Sequence, residues 1–465
     1  MIQLAQDITN EFSGSTHVHP VGLLMLIVLS AATLVAPRRW AFLPILILAC
    51  FISPAQRIVV ATLDFDFIRI LTLVGWMRVF MRGEYRSFRW CLLDYLMIAW
   101  AISGLIAYTL LFGTVEALVY KLGTTYTSLG LYYYFRWIVT DWSDFKRVVL
   151  AFAIVSLPVA VVFVFEKVTG KNLFSIFGGV AFNTMIREGK LRAQGPFTHP
   201  IIAGCFWAAA APLIASGWWM TGLVKRLAPF SVVCCIIVVI ATASSTPMAA
   251  TAAAILGALF FCLRAQMGWI KLGVVVTLLW LHFVAMKKPV WHLISRIDLA
   301  GGSTGYHRYR LIDAAIHHFG DWWAIGTKST RAWGPQLNDV TNQYILEGVR
   351  GGVLTLLLFS LALWAAFHYV GKLWRLVEAN NTKLIASWSM GVALFTHSMS
   401  FIAVSYFGQI SILWYLSLAM PASLLSFERS KHTIEPKSTK EFARTTNRDS
   451  TRDRTISPPP SAHQS

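Results

Sequence analysis

Val148-Val-Leu-Ala-Phe-Ala-Ile-Val-Ser-Leu-Pro-Val-Ala-Val-Val-Phe-Val-Phe165 runs without a single charge between Arg147 and Glu166. Its length approaches the ~20 residues a helix needs to cross the hydrocarbon layer of a membrane. With its flanks it forms an apolar segment at 147–166. Similar segments lie at 20–36, 41–53, 63–81, 91–112, 115–139, 201–219, 229–243, 247–263, 270–286, 343–370, 384–404 and 407–426. The 41–53 run is short and fits a tilted or re-entrant element. The expected fold is therefore all-α, a polytopic transmembrane helical bundle of about 12–13 spans over residues 1–427. Composition agrees: of 465 residues, 56% are hydrophobic and 13% charged, with mean hydropathy +0.59. A soluble domain is excluded.

The net charge of +18 is not a nucleic-acid signature, because the cations are distributed by loop. Arg38/Arg39, Arg78/Arg82, Arg136/Lys146, Lys225/Arg226, Arg264/Lys271 and Lys372/Arg375 occupy alternate connections, whereas 113–114 and 244–246 carry none. The positive-inside rule then places the basic connections in the cytoplasm. The long loops 167–200 and 287–342 fall on the outer face. The segment before the first run holds Asp7 and Glu11 and no Lys or Arg, so that run is expected to be a retained span with its N-terminus outside. Residues 428–465, rich in Ser, Thr, Arg and Pro, are expected to form a disordered basic cytoplasmic tail. The six cysteines lack disulfide or metal spacing and are expected in the core. The scattered histidines and the lack of a phosphate loop or dinucleotide fingerprint predict no metal and no cofactor.

The two outer loops are nevertheless rich in cations. Arg192-Ala-Gln-Gly-Pro-Phe-Thr-His-Pro200 leads into a span. Pro200 suits a first helical turn, with Thr198 or His199 as its cap. An arginine beside a helix N-terminus is a sound phosphate-binding arrangement. In the second loop, Tyr306–Phe319 is expected to be a helix capped by Ser303 or Thr304, with Ile312, Ala315, Ile316 and Phe319 on its apolar face. Arg308 then points with that face, while Arg310 aligns with Asp313 and His317 and can pair there. Asp339-Val-Thr-Asn342 offers caps for the next span. Glu347 and Arg350 follow inside that span at i, i+3, where ionisable side chains are functional candidates.

In order and spacing these segments resemble the O-antigen ligase and O-antigen polymerase superfamily of bacterial envelope enzymes. The matching features are Arg192-x-x-Gly-x-Phe-x-His-Pro200, then Arg308, Ala315 and Gly326 within a large outer loop. Asp339-x-x-Asn-x-Tyr344, followed by Gly351 and Gly352, completes the set. The resemblance covers about Arg192 to Leu363. It implies a metal-independent inverting glycosyltransferase of type-C architecture with a large periplasmic loop. The enzyme would act in the bacterial inner membrane on a glycan carried by undecaprenyl pyrophosphate. Arg192 and Arg308 would hold the pyrophosphate, with Lys190, Arg310 and Asn342 as further contacts. Ligases of the family carry His directly before the Asn; here that position is Thr341, which cannot replace imidazole as a base near neutral pH. Asp339, His199 and His307 are the alternative bases, and the substitution favours a polymerase-like or divergent branch. Expected partners are the lipid-linked donor, a glycan or lipid acceptor, membrane lipids and other polysaccharide-assembly proteins, with no nucleic acid. Two other functions stay open: a flippase for the same lipid-linked glycan, and a non-catalytic component of the assembly machinery.

Overall fold

The computed structural model describes residues 16–60, 63–296 and 304–452, with side chains up to Lys431. The acidic N-terminal stretch with Asp7 and Glu11, the cap expected at Ser303, and residues 453–465 lie outside the described residues.

In chain order the helices are α1 Pro20–Val35, α2 Leu43–Phe51, α3 Phe67–Met81, α4 Leu92–Phe112, α5 Val115–Ile138 and α6 Trp142–Thr169. They continue as α7 Pro200–Ala215, α8 Leu223–Ala241, α9 Ser245–Leu259, α10 Met267–Trp280 and α11 Thr304–His317. The last three are α12 Gln343–Leu376, α13 Asn381–Phe401 and α14 Ile410–Arg452. Two antiparallel hairpins interrupt them: β1 Arg57–Val60 with β2 Leu63–Asp66, and β3 Ile186–Arg187 with β4 Lys190–Leu191. The helix starts are chemically defined. Asp66, Thr114, Asp141, Asn342 and Asn380 each accept a hydrogen bond from a first-turn N–H. Gly113 and Gly170 end α4 and α6 in the left-handed region, at φ 68° and 70°.

Among the described residues, seven helical runs are long and apolar enough to cross a membrane. The chain is a multi-pass helical membrane protein, and these seven runs are fewer than the about 12–13 spans expected, because several expected spans are shorter or more charged as helices. α1 and α3 have 16 and 15 residues, and α2 has nine, about 14 Å, too short to cross. The first residues of the expected 63–81 span are β2, not helix. α5 is long enough but carries Glu116, Lys121 and Arg136.

The expected spans 247–263 and 270–286 are one 41-residue run, Ser245–Ala285. A straight helix of that length would extend about 60 Å, yet both its ends meet α11. Thr246 accepts from Arg308, and near the far end His282 Nδ1 accepts from Val290 N, whose neighbour Trp291 donates to Asp313. The run therefore turns back at Phe260–Gln266, where Leu263 leaves helical geometry. It crosses twice. α10, the returning limb, buries none of its residues, as suits a lipid-facing helix. Of the cysteines, Cys50, Cys205 and Cys235 are buried as expected, but Cys262 is exposed at this turn.

The connections sort to two ends. At one end Arg38 bonds Ile138 O and Thr140, Arg136 bonds Arg89 O, and Lys383 pairs with Glu428. At the other, the 167–200 and 287–342 loops both reach the Thr242–Thr246 turn. That second end positions the site. α14 runs on to Arg452, into the segment expected to be an unfolded tail.

Candidate functional site

Arg192–Pro200 is clamped by a residue the sequence reading passed over. The Glu166 carboxylate accepts from Gln194 N (3.0 Å), Gly195 N (2.9 Å) and Thr184 Oγ1 (3.2 Å). Asn172 Nδ2 donates to Gly195 O at 2.7 Å. Gly195 has φ +58°, and a Cβ there would stand 2.3 Å from Phe163, so only glycine lets the segment lie this close. His199 is the cap of α7, its Nδ1 accepting from Ile201 N at 3.1 Å. Burial, with Arg192 and Arg187 adding repulsion, pulls His199 down to about 3. It is neutral with its lone pair committed, an anchor rather than a base.

Arg192 is 3% exposed; its Nη2 donates to Ser244 Oγ at 3.0 Å and its Nε to Thr242 O at 3.4 Å. Its Nη1 is buried with no acceptor among the described residues. Burial lowers the guanidinium to about 10, so it stays charged at neutral pH. Arg308, 9% exposed, donates to Thr246 Oγ1 at 2.6 Å. The two arginines thus meet residues two apart in sequence, whose Cα atoms are at most about 7 Å apart. Ser244 is the cap residue of α9 but makes no side-chain cap bond, its hydroxyl being taken by Arg192. Two buried guanidinium groups and an uncapped helix N-terminus share one turn. Positive charge is concentrated at that turn, where Arg192 Nη1 and the first-turn N–H groups of α9 are the donors left to give.

The remaining candidates are distributed more widely. Lys190 is exposed on β4. The buried stripe of α11 is Arg308, Leu311 and Ala315; Ile316 and Phe319 are exposed at 48% each. The apolar face is therefore rotated from the expected one. The helix packs against Trp322, Trp333, Leu337 and Val349 in a small core of its own. Arg310 does not pair with Asp313. That carboxylate accepts from Trp291 Nε1 at 3.1 Å and lies 3.6 Å from His317. Arg310 lies instead against Gly334, where a Cβ would stand 2.9 Å from its Nη2. Asn342 is a cap, accepting from Ile345 N and donating to Ile402 O, both at 3.1 Å. Half-buried Asp339 has its carboxyl raised by burial. The His307 ring, bonded by the Asp339 backbone, is lowered by burial and by Arg310 and Arg308. His307 is the proton acceptor beside Arg308. Among the described residues no group of three or more His, Cys, Asp or Glu could hold a metal.

The glycines of the outer loop have a structural reason. Gly352 breaks α12 at φ +72°, and a Cβ on it would stand 2.2 Å from Ala324 O. Gly326, at φ +99°, faces Val349 O equally closely. Thr327 N donates to Val349 O and Val353 N donates to Trp323 O, both at 2.8 Å. The loop backbone supplies the hydrogen bonds that the broken helix gives up, and so it is fixed to α12.

A cavity of about 360 Å³ opens beside this region, lined by α4, α5, α12 and α14, with Thr198 at its edge. Arg57 and Arg69 line it but face Asp64 (2.8 Å) and Asp66 (3.9 Å). Glu347 is held by Trp100 Nε1 (2.9 Å) and Gln343 Nε2 (2.7 Å). The expected Glu347–Arg350 pair does not close; Arg350 turns to Tyr120, and Lys121 lies over the Tyr108 ring at 5.7 Å. Lys121 belongs to no motif in the sequence, and only the fold brings it to this cavity.

Compared with known proteins, the chain matches no family model and no curated relative.

Proposed function

We propose that this protein transfers glycan from a polyprenyl-pyrophosphate carrier, as a polymerase-like glycosyltransferase in a bacterial inner membrane. The observation that carries the reading is the shared Thr242–Thr246 turn, where Arg192 bonds the cap residue of a helix through Nη2 and keeps a buried, unmatched N–H on Nη1. An acceptor hydroxyl attacks the anomeric carbon, the bond from that carbon to the pyrophosphate oxygen breaks, and the configuration inverts. Charge develops on the leaving pyrophosphate, where Arg192, Arg308 and the α9 N–H groups offset it. The hydroxyl proton passes to Asp339 or His307. The loops 167–200 and 287–342 face the periplasm in this reading, and the opposite, ion-paired end with the C-terminal segment faces the cytoplasm.

The test is transfer from a synthetic polyprenyl-pyrophosphate oligosaccharide in proteoliposomes of the full chain, scoring glycan lengthening and carrier release. Arg192→Gln and Arg308→Gln should each abolish both at equal protein level. The break at Gly352 and the charged cavity also suit a carrier of lipid-linked glycan. Donor translocation without glycosidic product would favour that reading.

A further inference from the structure

The transfer reading leaves Lys121 and Arg350 unused. They lie close enough to repel one another, and neither forms an ion pair among the described residues. Glu347, which also accepts from Trp100 and Gln343, attracts Lys121 more strongly than Arg350 repels it, so two cations share one carboxylate and a net positive charge remains on this wall. One carboxylate does not neutralise two cations, and a net positive charge at a membrane-depth cavity favours a further anion. Neither Arg192 nor Arg308 lines this cavity. Its wall mixes the rings of Trp100, Tyr108 and Trp414 with the hydroxyls of Thr124, Ser128 and Ser405. Aromatic faces alternating with hydrogen-bonding groups suit a polyhydroxylated ring better than a polyprenyl chain. The volume lies within the ~300–1,000 Å³ of small-ligand sites.

We propose that this cavity is a subsite for an acidic sugar of the transferred or accepting glycan, with its carboxylate between Lys121 and Arg350 and its ring against the aromatic wall. The proposal rests on the glycan-transfer reading and adds that the glycan is anionic. No bond is made or broken there; Lys121 and Arg350 are specificity residues.

The experiment is calorimetric titration of the full chain in nanodiscs with trigalacturonate and, separately, with neutral maltotriose. Trigalacturonate should bind at least about tenfold more tightly, the scale of one charge-assisted hydrogen bond. Lys121→Gln and Arg350→Gln should each erase that preference, while Lys121→Arg and Arg350→Lys keep most of it and so control for folding. Arg192→Gln should leave trigalacturonate binding intact while abolishing binding of farnesyl pyrophosphate. Equal binding of the two trisaccharides, or a preference unchanged by Lys121→Gln and Arg350→Gln, overturns the subsite and leaves the transfer reading untouched. Loss of trigalacturonate binding in Arg192→Gln, together with full competition by farnesyl pyrophosphate, also overturns it, because the cavity would then belong to the carrier's pyrophosphate.

Discussion

Buried cations at the two ends of this bundle are treated in opposite ways. At one end, Arg136 makes a two-pronged pair with Asp94, both contacts 2.9 Å, and a further bond to Ser423, with Tyr132 completing the carboxylate. Arg78 is likewise matched by Glu84 and by the carbonyls of Thr33 and Ala36. At the other end, Arg192 is as deeply buried yet keeps an unmatched N–H, and Lys121 and Arg350 face a cavity. Burial alone therefore does not mark a functional arginine; what marks it is the missing partner. A matched buried pair is a fastening whose loss leaves an expensive lone charge. An unmatched one is tolerated where a ligand completes it.

The contrast can be broken most forcefully at Asp94. Asp94→Asn strands Arg136 and should destabilise the protein by about 3–5 kcal/mol, read as a lower unfolding temperature in detergent. Arg192→Gln removes an uncompensated charge, so its unfolding temperature should hold or rise while transfer is lost. A large drop for Arg192→Gln with none for Asp94→Asn would invert the assignment. Next in size, Gly352→Ala forces a side chain into the left-handed region against Ala324 O, at a cost of about 1–3 kcal/mol. Limited proteolysis should then cut near 323–327 before the bundle unfolds; an uncleaved loop would deny that Gly352 fixes it.

A smaller effect depends on pH. Folding lowers His199 from the ordinary histidine range to about 3, so the unfolded chain takes up a proton that the folded one refuses. This contribution is fully present above ~6.5 and is lost as pH falls toward the folded value, by at most ~1.4 kcal/mol per pH unit. His199→Asn keeps a capping side chain and should flatten that part of the stability–pH curve. Identical curves would mean His199 is not held neutral. The smallest effect is expected at Arg310, which is half-buried against Gly334. Arg310→Lys should change stability by no more than ~0.5 kcal/mol and leave transfer unaltered.

Local chemistry was legible in the sequence and tertiary pairing was not. Cap residues announced helix starts at Pro200 and Gln343, and uncharged runs announced α4, α6 and α12. The need for a φ > 0 crossing at Gly352 could not be seen, because the strand of loop that meets it lies 28 residues earlier, at Ala324. The apolar face of α11 was misjudged because its packing partners, Trp333 and Leu337, come from the same loop rather than the main bundle. The Arg310–Asp313 pair had the right spacing but lost to Trp291, a competitor 22 residues away from Asp313. Lys121 and Glu166 had no motif at all; only the fold gives them their neighbours.

The central claim is that Arg308 and Arg192 hold the leaving pyrophosphate at one turn while neighbouring cations of the same loop do not. Its most direct test is single-turnover transfer from the lipid-linked donor by Arg308→Lys and Arg310→Lys at equal membrane abundance. Replacing a planar fork with a point charge should slow Arg308→Lys by about tenfold or more, with Arg310→Lys indistinguishable from the parent. Full activity in Arg308→Lys with loss in Arg310→Lys would contradict the account.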